Sequence, residues 1–110
     1  MGAWGTAPWE NDGAADWFGG VMDQSGLPRI VEAALLLNAE EYHEDIRAAA
    51  YVLLSLGRTF IWPVEKLDEH LRLAIRKLRE IAAMEIYAEA GFGPVIANEI
   101  AELESRLKKA

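Results

Sequence analysis

The chain predicts an all-α fold: a single-domain bundle of about five helices with a Gly/Trp-rich N-terminal lead-in. Three observations carry that expectation. Apolar residues recur at three- and four-residue steps over most of the sequence, the period of one helix face. No stretch alternates apolar and polar residues for long enough to argue for a strand. Glycine and proline gather around Gly19–Pro28, Gly57–Pro63 and Gly91–Pro94, so they cut the chain into helix-length pieces. At 110 residues there is material for one core and not for two, so residues 1–110 are expected to form one domain, with 1–12 a lead-in packed on the bundle.

Each element has a local reason. Asn11 or Asp12 can cap a first helix, and Asp12 and Asp16 suit its positive end. This helix carries Ala15, Trp17, Phe18, Val21 and Met22; Gly19 and Gly20 weaken it, and Gly26 with Pro28 ends it. A second helix starts near Pro28, a favoured first-turn residue. It is apolar on nearly every side and is expected in the middle of the bundle. The third covers about Glu41 to Leu56, with Tyr42, Ile46, Ala49, Ala50, Leu53 and Leu56 on one face and Gly57 as its C-terminal cap. Arg58–Pro63 reads as a short extended connector, because a residue before proline is pushed away from helix. The fourth and longest runs from about Pro63 to Ala90, striped by Val64, Leu67, Leu71, Ala74, Ile75, Leu78, Ile81 and Ile86. A fifth starts at Pro94, with Ile96, Ile100, Leu103 and Leu107 facing inward. Arg106, Lys108 and Lys109 suit its negative end.

Composition removes several function classes. A net charge of −7 disfavours nucleic acid and anionic membrane surfaces, which select for Lys and Arg. The absence of cysteine excludes disulfides, thiolate nucleophiles and cysteine-ligated metals. No run approaches the ~20 apolar residues that span a bilayer. No basic-then-apolar leader opens the chain, so a cytoplasmic protein is expected. Gly2 followed by Thr6 fits a loose myristoylation pattern, but no polybasic second signal accompanies it.

The candidate chemistry is thin. Trp4, Trp9 and Trp17 could form an aromatic cage, but the first cationic side chain is Arg29. The expectation is that these rings are buried, closing one end of the bundle, with Gly2 and Gly5 allowing a tight path. Asn11, Asp12 and Asp16 offer clustered oxygens without the EF-hand pattern, and a helix cap accounts for them. Glu41, Glu44, Glu65 and Asp68 reproduce the paired Glu-x-x-Glu and Glu-x-x-Asp spacing of all-α nucleoside triphosphate pyrophosphohydrolases, where facing pairs hold Mg²⁺. With 18 carboxylates in the chain, such spacings arise easily. Glu40-x-x-His43 matches a di-iron half-site, but Leu67 stands where a partner of His70 is needed. Both histidines, among charged neighbours, are expected on the surface. Ser25, Ser55 and Ser105 lack a nucleophile-elbow context.

The opening MGAWGTAPWENDGAADWFGG resembles that of a bacterial group, domain-of-unknown-function family 4259, in Gly2, Trp4, Gly5, Trp9, Asn11, Asp12, Ala14, Asp16 and Trp17. The similarity extends through EDIRAAAYVLLSLGR and EIYAEAGFGPVIANEIAELESRL. Ala7, Trp9, Tyr51 and Tyr87 depart from the family's usual residues. The resemblance implies a small bacterial protein and brings no catalytic residues.

These residues together point to a cofactor-free, metal-free helical domain that binds a protein partner or its own copy through Trp9, Trp62 and Phe92, aromatic residues in loops or at element ends. An Mg²⁺-dependent pyrophosphohydrolase built on Glu41, Glu44, Glu65 and Asp68 is one alternative. An immunity- or antitoxin-type protein is another.

Overall fold

The computed structural model describes residues 4–107. Gly2, Lys108 and Lys109, invoked above, lie outside the described residues. Six helices follow in order: α1 (Asp12–Ser25), α2 (Leu27–Leu35), α3 (Ala39–Leu56), α4 (Val64–Ala82), α5 (Glu85–Glu89) and α6 (Gly93–Glu104). The fold is all-α, with no strand among the described residues. A single bridge, Thr59 to Trp62, lies inside a turn.

Local signals set most boundaries. Asn11 caps α1, its Oδ1 accepting the Ala14 N–H at 2.8 Å. Asn38 does the same for α3, accepting from Glu41 N–H at 3.1 Å. Gly26 ends α1 at φ 66°, a left-handed conformation that costs glycine little, and its N–H closes on Met22 O at 3.2 Å. Gly57 closes α3 by donating to Leu53 O at 2.8 Å.

The core runs along α4, which packs most extensively on α3 and α6, with α2 laid against α3. Ile46 and Leu53 of α3, Leu71, Leu78 and Ile81 of α4, and Ile96 and Leu103 of α6 are completely buried. Cross-links join the layers. Arg47 of α3 makes a two-pronged ion pair with Glu99 of α6, at 3.2 and 2.6 Å. Arg106 donates to Leu53 O, at the end of α3, at 2.7 Å. It therefore satisfies a carbonyl at the C-terminal end of another helix while also pairing with Glu102 of α6 at 3.1 Å.

Four expectations are corrected. The predicted fourth helix is two, because Met84 adopts an extended conformation (φ −69°, ψ 135°). The core stripe of α4 ends at Ile81, and the turn tucks Tyr87 inside while Ile86 stays exposed. Helix α2 is not buried all round: Val31 and Leu35 face the core, while Ile30 and Leu36 face solvent. Tyr42 and Val64 are exposed, Tyr42 at a kink near the start of α3 and Val64 at the first residue of α4. The 58–63 segment is a tight turn, with Ile61 N–H and Trp62 N–H both closing on Arg58 O. Phe60 sits within it at φ 74°, rare for a residue with a side chain.

The molecule measures 51 × 25 × 25 Å, with a radius of gyration of 15.1 Å. A compact chain of this length would have about 13 Å. The elongation accords with α1 packing chiefly on α2 and not across the bundle.

Candidate functional site

The lead-in folds on itself. Trp4 N–H donates to Glu10 O at 2.8 Å, and Glu10 N–H to Ala7 O at 3.0 Å. The Glu10 carboxylate accepts the Ala7 N–H at 3.1 Å, and a Cβ on Gly5 would collide with that carboxylate. Trp4 Nε1–H donates to Asp12 at 3.2 Å, tying the loop to the start of α1. The loop then meets the 58–63 turn: Trp4 lies 4.5 Å from the Phe60 ring, and Arg58 stands 4.9 Å over the Trp9 ring.

The rings are not a buried lid. Trp4 is 44% and Trp17 64% exposed; Trp9 and Phe18 are partly buried against the core. The reason is geometric. Phe18 and Met22, four residues apart on one face of α1, are turned to the core, so Trp17, five residues before Met22, falls on a different face of that helix.

Between α1 and the 58–63 turn opens a groove of about 960 Å³. Its floor is apolar or small: Ala15, Gly19, Gly20, Met22, Phe60, Ile61 and Val64. Nothing lies within 4 Å of where a Cβ on Gly19 or Gly20 would sit, so the glycines leave open space. Asp16, Asp23 and Glu65 give the rim negative charge, against Arg29 alone among the lining cations.

Near this region runs a polar chain through His70, which its charged sequence neighbours predict on the surface. His70 is 1% exposed and Trp62 2%. Trp62 Nε1–H donates to His70 Nδ1 at 3.0 Å, and His70 Nε2 meets Glu32 Oε2 at 2.9 Å. Because Nδ1 accepts, Nε2 carries the ring proton and donates it to Glu32. That bond is the main cause holding the Glu32 carboxyl below its ordinary value, opposed by some desolvation. Glu32, Glu69 and His70 are also the one set of three possible metal ligands grouped within 4.8 Å among the described residues. Ligation through Nε2 would require an unprotonated nitrogen there as well as at Nδ1, an imidazolate, and the Trp62 bond disfavours it. The chain of bonds is therefore structural: it satisfies a buried indole and a buried imidazole. Trp62, expected to dock a partner, is sealed in the core instead. Spacing held the missed signal, since Leu67, His70, Leu71 and Ala74 share one helical face.

A second cleft, about 530 Å³, lies between α3, α5 and α6. His43 Nδ1 and the Tyr87 hydroxyl share a 2.7 Å hydrogen bond there. Phe92 packs edge-on to Tyr87, with Arg47 5.3 Å above its ring. Arg47 is held more firmly protonated than usual, first by its bond to Glu99, against a cost of burial. His43 is thus partly buried and bonded, not a free surface group. Phe92 remains partly exposed at this cleft, far along the chain from Trp9.

The carboxylate quartet does not assemble. Glu44 borders the α3–α5–α6 cleft and Glu65 the α1 groove, while Glu41 is exposed at the start of α3. None of the four belongs to a ligand-spaced group among the described residues. Asn11, by contrast, is the helix cap that its sequence context predicts.

Fold and surfaces define a small helical domain whose first helix is largely unpacked and borders a groove of about 960 Å³. The chain belongs to the family described as Domain of unknown function (DUF4259), whose model matches residues 2–85. That stretch contains every residue lining the α1 groove. No curated protein and no solved structure matches the chain.

Proposed function

We propose that the protein is a non-catalytic binding domain, and that the α1 groove receives a basic, amphipathic segment of a protein partner. The observation that carries this reading is the state of α1: fourteen residues, of which only Met22 is buried. A helix of that length is marginal in water without packing, and here its small residues line a groove and not a core. Exposed Phe60 and Val64 in the groove, and exposed Trp17 on α1, offer apolar anchors.

Charge chooses between the partners. A second copy would bring net −7 against net −7 and meet the Asp16, Asp23 and Glu65 rim with an acidic surface. A segment carrying Lys and Arg around an apolar face complements both rim and floor. Neutralisation of a basic protein, in the manner of immunity proteins, is one form such binding takes.

A photo-crosslinking residue at position 17 tests this in the source cell, with position 101 on α6 as control. The expected product joins position 17 to a basic amphipathic segment of another protein, and introducing Gly20→Glu abolishes it. Crosslinks only to a second copy, or equal yield from position 101, overturn the reading.

A further inference from the structure

Sharing Thr59 and Phe60 with the α1 groove is a cavity of about 590 Å³, lined also by Trp4, Trp9, Glu10, Arg58 and Arg106. We infer that this cavity is a binding site for a small oxyanion, carboxylate or phosphate, carried on a flat aromatic body. This goes beyond the partner groove and stands independently of it.

Two arguments meet here. The first is charge. In a chain with 18 carboxylates and 11 Lys and Arg, the Arg58 guanidinium makes no ion pair among the described residues; its contact is the Trp9 ring face. Arg106, just past the end of α6, lines the same cavity, anchored by Leu53 O at 2.7 Å and Glu102 Oε1 at 3.1 Å. Burial first, and then the positive charge of Arg58, make Arg106 easier to deprotonate than usual, so the two guanidiniums repel each other. An oxyanion between them relieves that repulsion and is met by planar, charge-assisted donors. Glu10 lines the cavity too, one carboxylate oxygen accepting the Ala7 N–H, and makes no ion pair with Arg58.

The second argument is shape. Trp4, Trp9 and Phe60 give three ring surfaces around the guanidiniums, and Phe60 holds its place at φ 74°. Backbone strain of this kind persists where the surroundings enforce a geometry. Flat apolar walls beside paired guanidiniums select an aromatic anion over a bare one.

The test follows the four indole Nε1–H signals of the ¹⁵N-labelled full chain by NMR during titration with benzoate, phenyl phosphate, inorganic phosphate and benzyl alcohol. Benzoate and phenyl phosphate are expected to shift Trp4 and Trp9 saturably and leave Trp17 and Trp62 in place. Their relative affinities show which oxyanion is preferred. Added salt weakens both, and Arg58→Ala weakens both by about tenfold or more. Arg58→Lys, which keeps charge but loses the fork, falls between. Three results overturn the proposal: benzyl alcohol binding as tightly as benzoate, inorganic phosphate as tightly as phenyl phosphate, or no saturable shift at all. Should Arg58→Ala fold poorly, the salt dependence of the unaltered protein decides the electrostatic half.

Discussion

Helices α4 and α1 are built on opposite terms. Of nineteen residues, α4 buries Leu67, His70, Leu71, Leu73, Ala74, Ile75, Leu78 and Ile81. Of fourteen, α1 buries Met22. The first is a helix whose apolar face is covered by four other helices, α2, α3, α5 and α6; it even takes a histidine inside by giving each ring nitrogen a partner. The second is held at its ends, by the Asn11 side chain and the Gly26 turn, and by little in between. A segment that spends its length on small and exposed aromatic residues contributes surface, not core. In this molecule the candidate binding features lie beside the loosely packed part, and the well-packed part supports them.

The contrast can be broken by substitution. Leu78→Ala, at a fully buried position, is expected to cost about 2–5 kcal/mol, measured as a lowered urea midpoint. If the loss were as small as for an exposed residue, α4 would not be the centre of the core.

An intermediate effect is expected from Glu32, which links the core to its polar chain. Its folded-state carboxyl titrates below its unfolded value, so the stability it lends is present above the ordinary carboxylate range. That stability is lost as pH falls through the lowered folded value. Glu32→Gln should therefore flatten the decline of urea midpoint on the acid side, while leaving the shape near neutral pH unchanged. An identical acid decline in both proteins would show that the His70 bond does not set the Glu32 titration.

Trp17→Ala should do least, about 0.5 kcal/mol or less, since the ring is mostly in water and touches Phe18 edge-on at 5.2 Å. A larger loss would mean that α1 is packed more firmly than its burial indicates. With the crosslinking residue moved to position 19, which lines the groove, a small loss of stability combined with loss of the crosslinked partner would separate folding from binding at Trp17.

Much of the fold was legible because its causes are local. The Asn11 and Gly26 caps, Gly57, and the stripes of α3, α4 and α6 follow from residue chemistry at fixed spacing. The errors share a cause as well. His70 was placed on the surface because Asp68 and Glu69 adjoin it in sequence, although helical spacing sets it on the Leu67–Leu71–Ala74 face. Trp62 reads as a docking ring because it sits in a loop between helices, whereas its burial goes with an acceptor on His70 that no sequence window reveals. Nothing in residues 82–85 is a strong helix breaker, so the turn at Met84 could not be anticipated; it exists because Tyr87 finds His43 and a core. The Arg58 and Arg106 pair was invisible for the same reason, its members being far apart in the chain.

The sequence by itself determined which segments are helical, where most of them start and stop, and that one core of α-type would form, because capping, breaking and periodicity act over a few residues. Tertiary structure alone decided which aromatic rings are covered, that Trp62 and Glu32 are the partners of His70, and which two arginines share a cavity. Those outcomes depend on how helices cross, and crossing is fixed by the summed fit of residues distant in sequence.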